Sequence, residues 1–374
     1  MKSVYWQPHR ASRPALVGMA LLSIGGLLLV ESHRRRVPER YYEEKVAAAR
    51  LAADCMETIK QRRMALGYAI DPAIDPAETG LIGAAMTPAT STAGRLAAKR
   101  ISANPNFAAV VVALLKRAGV QPGDTVAIGY SGSFPGLNIA VEAAVQTLDL
   151  EPIGISSAAA SQWGANLPNF LWLDMERTLA DEGKIRFRSR AASLGGVEDR
   201  GLGMSEETQQ TLRKGIARNG LATIEAGNFT QSVDERMQLY HDQAGIKPIK
   251  CYINIGGGAT SVGKSLGKKQ FHSGLHRWLP KRARNIDSVM TRFLAAGVPV
   301  IHLIRVTAMA SRYGLETEPR SPAVVGEGEV FERYQYNGWY AVATLAGILA
   351  MLGVLNRRAG VACEPMPSTP RLGQ

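Results

Sequence analysis

Two uncharged apolar runs, one near each end of the chain, constrain its architecture more than any other feature. The first, Ala15 to Val30, lies between Arg10 and Arg13 on one side and Arg34, Arg35 and Arg36 on the other. The second, Trp339 to Leu355, opens with an aromatic pair, Trp339 and Tyr340, and is followed by Arg357 and Arg358. At about 1.5 Å per helical residue, both are at the short end of what crosses a hydrocarbon core of roughly 30 Å. The first is long for the apolar stretch of a signal peptide, and arginine-rich sequence rather than a small-residue cleavage site follows it. The second is apolar on every face and stops at two arginines, unlike a buried core helix. The expectation is a tail over 1–14, a transmembrane helix over 15–31, a second over 338–356, and a tail over 357–374.

Two spans put both termini on one side of a bilayer and the middle of the chain on the other. Arg357 and Arg358, with Lys2, Arg10 and Arg13, argue for cytoplasmic tails and an extracytoplasmic domain. Arg34 to Arg36 argue the reverse, but a long segment translocates largely regardless of its charge, so an extracytoplasmic domain is the expectation. The net charge of +12 suits solubility, contact with anionic lipid headgroups, or attraction to a polyanion. Basic residues are dispersed, aromatics make up only 6% of the chain, and no nucleic-acid motif occurs, so nucleic acid is not an expected partner. Cys55, Cys251 and Cys363 have no metal-ligand spacing, and at most the first two could pair; an unpaired buried thiol is expected at Cys251.

Between the runs the pattern alternates. Residues 38–67 are rich in Ala, Glu, Lys and Arg with apolar residues at helical spacing, which predicts a juxtamembrane helix continuing out of the bilayer. Pro72, Pro76 and Gly80 mark a loop into the folded domain. Then come a helix over Asn106 to Ala118 closed by Gly119, a strand over Thr125 to Tyr130, a helix over Leu137 to Leu148 and a strand over Pro152 to Ser156. That is a βαβ unit, which requires parallel neighbouring strands. A strand over Ile249 to Ile255, a helix over Arg284 to Ala296 and a strand over Pro299 to Arg305 extend the series. The fold class is α/β: a domain over 68–330 with a largely parallel sheet and helices on both faces, doubly wound or three-layer, plus one transmembrane helix near each terminus.

In such sheets ligands bind where strand carboxyl ends turn into helices, and two turns fit. The first runs from Gly129 to Gly136 and holds Ser131, Gly132 and Ser133, with Asn138 just beyond. It is like the G-x-S-x-G elbow that presents a nucleophilic serine, except that Ser133 occupies the place of the second glycine. Ser131 and Ser133 are therefore candidate nucleophiles, helix caps, or contacts for an anion. The second turn carries Gly256, Gly257, Gly258, Thr260, Ser261 and Lys264, and Gly258 to Ser265 matches the phosphate-loop pattern literally. The stretch after it, Leu266 to Gly274, is broken by glycines, which disfavours a nucleotide site and leaves a loop that binds an anion or simply turns. Gly195 to Gly201 is a further polar loop placed to border the same cleft.

Asp174 and Glu176, two apart, point away from each other on either a strand or a helix, so a shared carboxylate site is not expected. Among His241, His272, His276 and His302, the second and third have the spacing of a metal pair, but Gly274 separates them and a third ligand is lacking, so no metal site is expected; the sequence leaves any cofactor unknown.

The strings TVAIGYSGSFPGLNIAVEAA, SSAAASQWGANLPNFLWLDME, AASLGGVEDRGLG, YINIGGGATSVG and AKRISANPNFAAVVVALLK resemble the poly-γ-glutamate system proteins, and the similarity runs over most of the chain. The resemblance implies a bacterial cytoplasmic membrane setting, a role in making or exporting a polyanionic polymer, and as partners the bilayer, the polymer and other proteins of its synthesis. It supplies no catalytic residues. The alternative expectation is an enzyme: a serine-type hydrolase or amidase acting on the polymer or, less in keeping with the glycine-broken loop, a nucleotide hydrolase.

Overall fold

The computed structural model describes residues 13–360, with the side chains of 356–360 left out of the description; most of both expected tails, with Lys2, Arg10 and Cys363, lies outside the described residues. The chain divides into two compact units, one spanning Glu39–Glu332 and one built from the segments up to Pro38 and from Arg333 onward. The helices of ten residues or more are α1 Arg13–Ser32, α2 Tyr42–Ala65, α3 Phe107–Ala118, α4 Pro135–Thr147, α5 Trp172–Asp181, α6 Glu206–Arg218, α7 Phe229–Ala244 and α8 Gly338–Gly360.

In the larger unit a seven-stranded sheet is formed by β1 Thr125–Ser131, β2 Glu151–Ser157, β3 Ala191–Ser193, β4 Ala222–Ile224, β5 Ile249–Ile255, β6 Gly274–His276 and β7 Val300–Leu303. Their order is β6-β7-β5-β1-β2-β3-β4. Every neighbouring pair is parallel except β6 against β7. Successive residues of β1 serve opposite faces, as the two-residue period of a strand requires. Val126, Ile128 and Tyr130 join the core that holds α2, α3 and α4. Ala127 joins the other core, with Ile153, Tyr252, Tyr240 of α7 and Phe293 of the short helix Val289–Ala295. There Tyr252 stacks on Phe293 at 4.8 Å between ring centroids, and the Tyr240 hydroxyl donates to the Ile128 carbonyl at 2.8 Å. The architecture is α/β with helices on both faces of a mostly parallel sheet.

Residues 38–67 do not form one helix leaving α1. Residues Arg35–Pro38 are extended and pair with Glu332–Gln335. Pro38 keeps the residue before it out of the helical region, so no helix runs unbroken from α1 through it. From Tyr42, α2 turns a stripe of small residues inward, with Ala48, Ala49, Ala52, Cys55 and Ile59 all fully buried. It packs on α3 and α4 as a core helix, so the α/β unit starts at Glu39 rather than at 68. The Lys116 ammonium, in the last turn of α3, pairs with Glu44 at 3.6 Å and lies over the Tyr41 ring. Since α3 leads into the start of β1, the first turn of α2 lies at the amino edge of the sheet. Near its other end Arg63 donates to the carbonyls of Gly80 and Ile82, and Gly83 then bonds the Trp163 carbonyl, in the segment that follows β2 at the carboxyl edge.

The helix expected over Arg284 to Ala296 begins only at Val289. Ser288 caps it, its hydroxyl accepting from the Thr291 amide at 3.1 Å, and a 3-10 turn over Lys281–Ala283 precedes it. β3, β4 and β6 have three residues each and escape any periodicity argument. Cys55 and Cys251 are free and buried, and burial pushes both thiols up to about 12.

In the terminal unit α1 and α8 pack together and are long and apolar enough to cross a membrane. Almost none of either is buried: Leu16, Leu21, Leu28, Val342, Leu345 and Leu349 are exposed. Gly26 abuts Thr344, an approach only a residue without a side chain permits. We predict that Gly26→Leu separates the two helices, seen as loss of a disulfide engineered between them.

Beneath β1 and β2 lies a buried acid pair. The Tyr130 hydroxyl donates to Glu142, and Glu176 accepts from both the amide (3.0 Å) and the hydroxyl (2.8 Å) of Ser189. Burial, and for Glu142 also the neighbouring Glu176, pushes the carboxyls up to about 8 and about 7. Both are held neutral in the fold and ionise more readily when unfolded. Their stabilisation is therefore complete below the ordinary value near 4.5 and is lost as pH rises through 7 and 8. Thermal denaturation should give a melting temperature that falls from pH 5 to pH 8.5, and Glu142→Gln should flatten that fall.

Candidate functional site

Strand order reverses between β1 and β5: β1 leads on to β2, β3 and β4 on one side, and β5 to β7 on the other. At such a reversal the connections leave in opposite directions and open a crevice at the carboxyl edge. The two glycine- and serine-rich turns both fall here. Asn254 of β5 is in register with Gly129 of β1, which sets Gly256 beside Ser131. Gly256 has φ +79°, and a Cβ built on it would lie 3.3 Å from the Ser131 hydroxyl. Along the same edge Ser131 is in register with Ser157, and Ser157 with Ser193. Three neighbouring strands thus end on a row of hydroxyls.

Within the first turn the residues divide by role. Ser131 faces the crevice, and its hydroxyl accepts from the Ser133 amide at 3.2 Å. Ser133 faces away, accepting the Ser161 amide at 3.0 Å. Asn138 is fully buried and braces the turn, donating to the Ser131 carbonyl at 2.9 Å and accepting from the Ser131 amide. Gly132 and Gly136 pack against the backbones of Ala159 and Ser102, where a Cβ would clash. Among the described residues, no histidine or carboxylate bonds either serine hydroxyl. Neither is set up as an activated nucleophile.

Behind this turn sits Lys99, which sequence reasoning did not single out. It belongs to the short helix Leu96–Ser102 and is 2% exposed. Its ammonium donates to the Ser133 carbonyl and, at 2.8 Å, to the Ser161 hydroxyl, and lies 3.9 Å from the centroid of the Phe134 ring. Burial pulls the amine down to about 7. Its place in the fold is that of a clasp joining the turn to the segment after β2.

The second turn does not form a phosphate loop. It breaks into two short helices, Ala259–Val262 and Lys264–Gln270, hinged at Gly263 with φ +87°. The Lys264 ammonium reaches Glu198 at 2.6 Å and covers the Phe229 ring, so it ties this turn to the Gly195–Gly201 loop rather than curling over the glycines. Gly258, Thr260 and Ser261 line the crevice, and Gly257 lies beside Lys268.

Between the turns is a cavity of about 40 Å³, bordered by Ser131, Ser157, Gly196, Asp199, Arg236 and Thr260. It has room for a few water molecules or one small ionic group. Asp199 and Arg236 form its floor, 8% and 4% exposed. Asp199 accepts from the Ser193 hydroxyl at 2.6 Å, from Arg236 Nε at 2.8 Å and from the Ser232 hydroxyl at 3.1 Å, while Arg236 Nη2 donates to Ser193 at 2.7 Å. Glu198 and Asp199 both take left-handed backbone conformations, φ 54° and 66°. The Thr260 hydroxyl is buried without a protein partner. A cavity wall that leaves a hydroxyl unpaired suits a polar occupant.

The other sequence candidates lie elsewhere. Asp174 caps α5 by accepting the Leu171 amide at 2.8 Å and pairs with Arg218, whereas Glu176 is in the acid pair beneath the sheet. The His272 and His276 rings stack at 4.2 Å, and His302 is buried against Asn254. Among the described residues, no three His, Cys, Asp or Glu side chains are grouped to hold a metal.

Fold and crevice define an α/β protein with a polar cavity at the reversal point of a mostly parallel sheet. Comparison with models of protein families, with curated proteins and with solved structures finds no match.

Removing the guanidinium while leaving Asp199 buried should be strongly destabilising. Arg236→Met is expected to lose about 3–5 kcal/mol in chemical denaturation. Adding Asp199→Asn should recover part of that loss.

Proposed function

We propose that this protein is a membrane-anchored accessory component of bacterial poly-γ-glutamate synthesis or export, and that it binds an anionic ligand, or a carboxylate of the polymer, in the crevice between β1 and β5. The observation that carries the reading is the meeting of two turns 125 residues apart in sequence, Ser131 and Gly256, around one cavity. The strings that resemble the poly-γ-glutamate system proteins include both turns and the Gly195–Gly201 loop. Four of the five strings supply residues that line the cavity.

Charge supports an anion. The Asp199 carboxylate is balanced by Arg236, and Glu198 by Lys264. Lys268 is exposed beside Gly257 and makes no ion pair among the described residues, so the rim carries a positive excess. Glycine turns also bring backbone N–H groups close to a ligand, which favours negative charge. As for the anchor, α1 and α8 are apolar and nearly unburied, which suits lipid contact better than a core position. The arginines beyond the second span favour an extracytoplasmic globular unit.

The test is polymer output in the native host. Deletion of the chain should abolish surface and secreted poly-γ-glutamate, and restoration should recover it. Ser131→Ala and Thr260→Val should each lower output severalfold, while Ser133→Ala should affect stability more than output. Unchanged polymer after deletion, in a strain shown to make it, would remove the assignment. Full output from Ser131→Ala and Thr260→Val together would remove the crevice from it.

A further inference from the structure

The helix Lys264–Gln270 that follows the second turn, and the chain that returns to pack on it, form a strip of unpaired positive charge beside the crevice. From Lys264 to Ile286 the basic residues are Lys264, Lys268, Lys269, Arg277, Lys281, Arg282 and Arg284, and no Asp or Glu occurs. The 3-10 turn Lys281–Ala283 lies against Lys264–Gln270, and Ile286 abuts Gly263 and Gly267. Ala283 is fully buried there, while Lys281, Arg282 and Arg284 are exposed. The alanine anchors the turn and its basic neighbours stay in water.

Two of these basic side chains are engaged, Lys264 with Glu198 at 2.6 Å and Arg277 with the Arg117 carbonyl. Lys268, Lys269, Lys281, Arg282 and Arg284 are exposed and make no ion pair among the described residues. Asp287, the first acid beyond the strip, and Asp234 of α7 are both held by Arg292, at 2.7 Å and 2.5 Å. Glu235 and Asp242 of α7 are left, two carboxylates against five cations.

The strip runs into the cavity. Lys268 is one helical turn beyond Lys264, and its side chain lies 3.5 Å from where a Cβ on Gly257 would stand. Gly258 and Thr260, which border the cavity, follow closely in the chain. With about 40 Å³ the cavity admits one small ionic group, and a single such group cannot neutralise five exposed cations. An exposed ion pair contributes little alone. A ligand that carries many charges on one chain gains from all of them, because each contact after the first is intramolecular. The one exposed Phe, Tyr or Trp of the segment is Trp278, which is no stacking platform for successive bases.

We propose that an extended polycarboxylate lies along Lys268, Lys269, Lys281, Arg282 and Arg284, with one of its carboxylates in the cavity. The proposal rests on the reading of the crevice as an anion site and extends it from one group to the chain that carries the group. Recognition then follows the density of charge along the polymer, so affinity rises with polymer length and falls with salt.

The experiment titrates the full chain, purified in a nonionic detergent, with labelled polyglutamate and, by calorimetry, with the dipeptide γ-glutamylglutamate. Lys269→Glu, Lys281→Glu and Arg282→Glu together should weaken polymer binding about tenfold and leave the dipeptide unchanged. Thr260→Val should weaken both. Glutamine at the same three positions should give a smaller loss with an unchanged melting temperature, which separates lost contact from lost fold and carries the test if the reversals unfold the chain. Polymer affinity unchanged by the reversals, with both ligands weakened by Thr260→Val, would overturn the strip and leave the crevice. Strip-dependent polymer binding without dipeptide binding would overturn the cavity as the end point and leave the strip. Absence of binding by either ligand would overturn the anion site as well. Displacement of the polymer by oligothymidylate at equal charge would make the strip a nucleic-acid surface and overturn the polycarboxylate assignment.

Discussion

Parallel pairing of β1 with β5 is the contact on which the remaining architecture depends. It joins two strands far apart in sequence, fixes Gly256 opposite Ser131, and sends the later connections in opposite directions across the sheet. Because both faces of these strands are covered, their side chains are almost all buried, and the register is held by Val126, Ile128 and Ile253 on one side and Ala127 and Tyr252 on the other. A slip by one residue would exchange those faces and carry Gly256 away from the first turn. The cavity is thus a by-product of strand register, made polar by what stands at the strand ends.

Polar burial is concentrated around this junction. The Asp199 and Arg236 pair, the Lys99 clasp and the Glu142 and Glu176 pair are all withdrawn from water, and none adds as much stability as apolar packing of equal volume would. The first two hold loops in one arrangement. Asp199 sits in a left-handed conformation that its three hydrogen-bond donors sustain, and Lys99 locks a turn whose glycines touch neighbouring backbone. A rigid crevice wall explains such groups better than stability does. The acid pair faces the other way, into the helix layer over β1 and β2, and makes the fold sensitive to alkaline conditions.

Much of the sheet was legible because β1, β2 and β5 are continuous apolar runs bounded by glycine and proline, and because strand, helix, strand is a strong pattern. The short strands carried too few residues for any period. Helical spacing over 38–67 predicts an extension of α1 because the sequence does not show the partner surface: an alanine stripe gains its meaning only from α3 and α4. At the crevice the glycine and serine turns stood out, while Asp199, Arg236 and Lys99 did not. Each resembles an ordinary surface charge until the chain brings its counterpart near. Gly258 to Ser265 shows the converse, a motif whose letters match and whose backbone breaks at Gly263. Ser133 is similar, appearing as a site residue and serving as a brace.

The course of α2 sets a distance within the Glu39–Glu332 unit. Its 24 residues run from the end where the chain leaves the unit to the edge that bears the crevice, a rise of about 36 Å. The crevice therefore stands about one helix length from Glu39, and the side chains in the first turn of α2 do not line it.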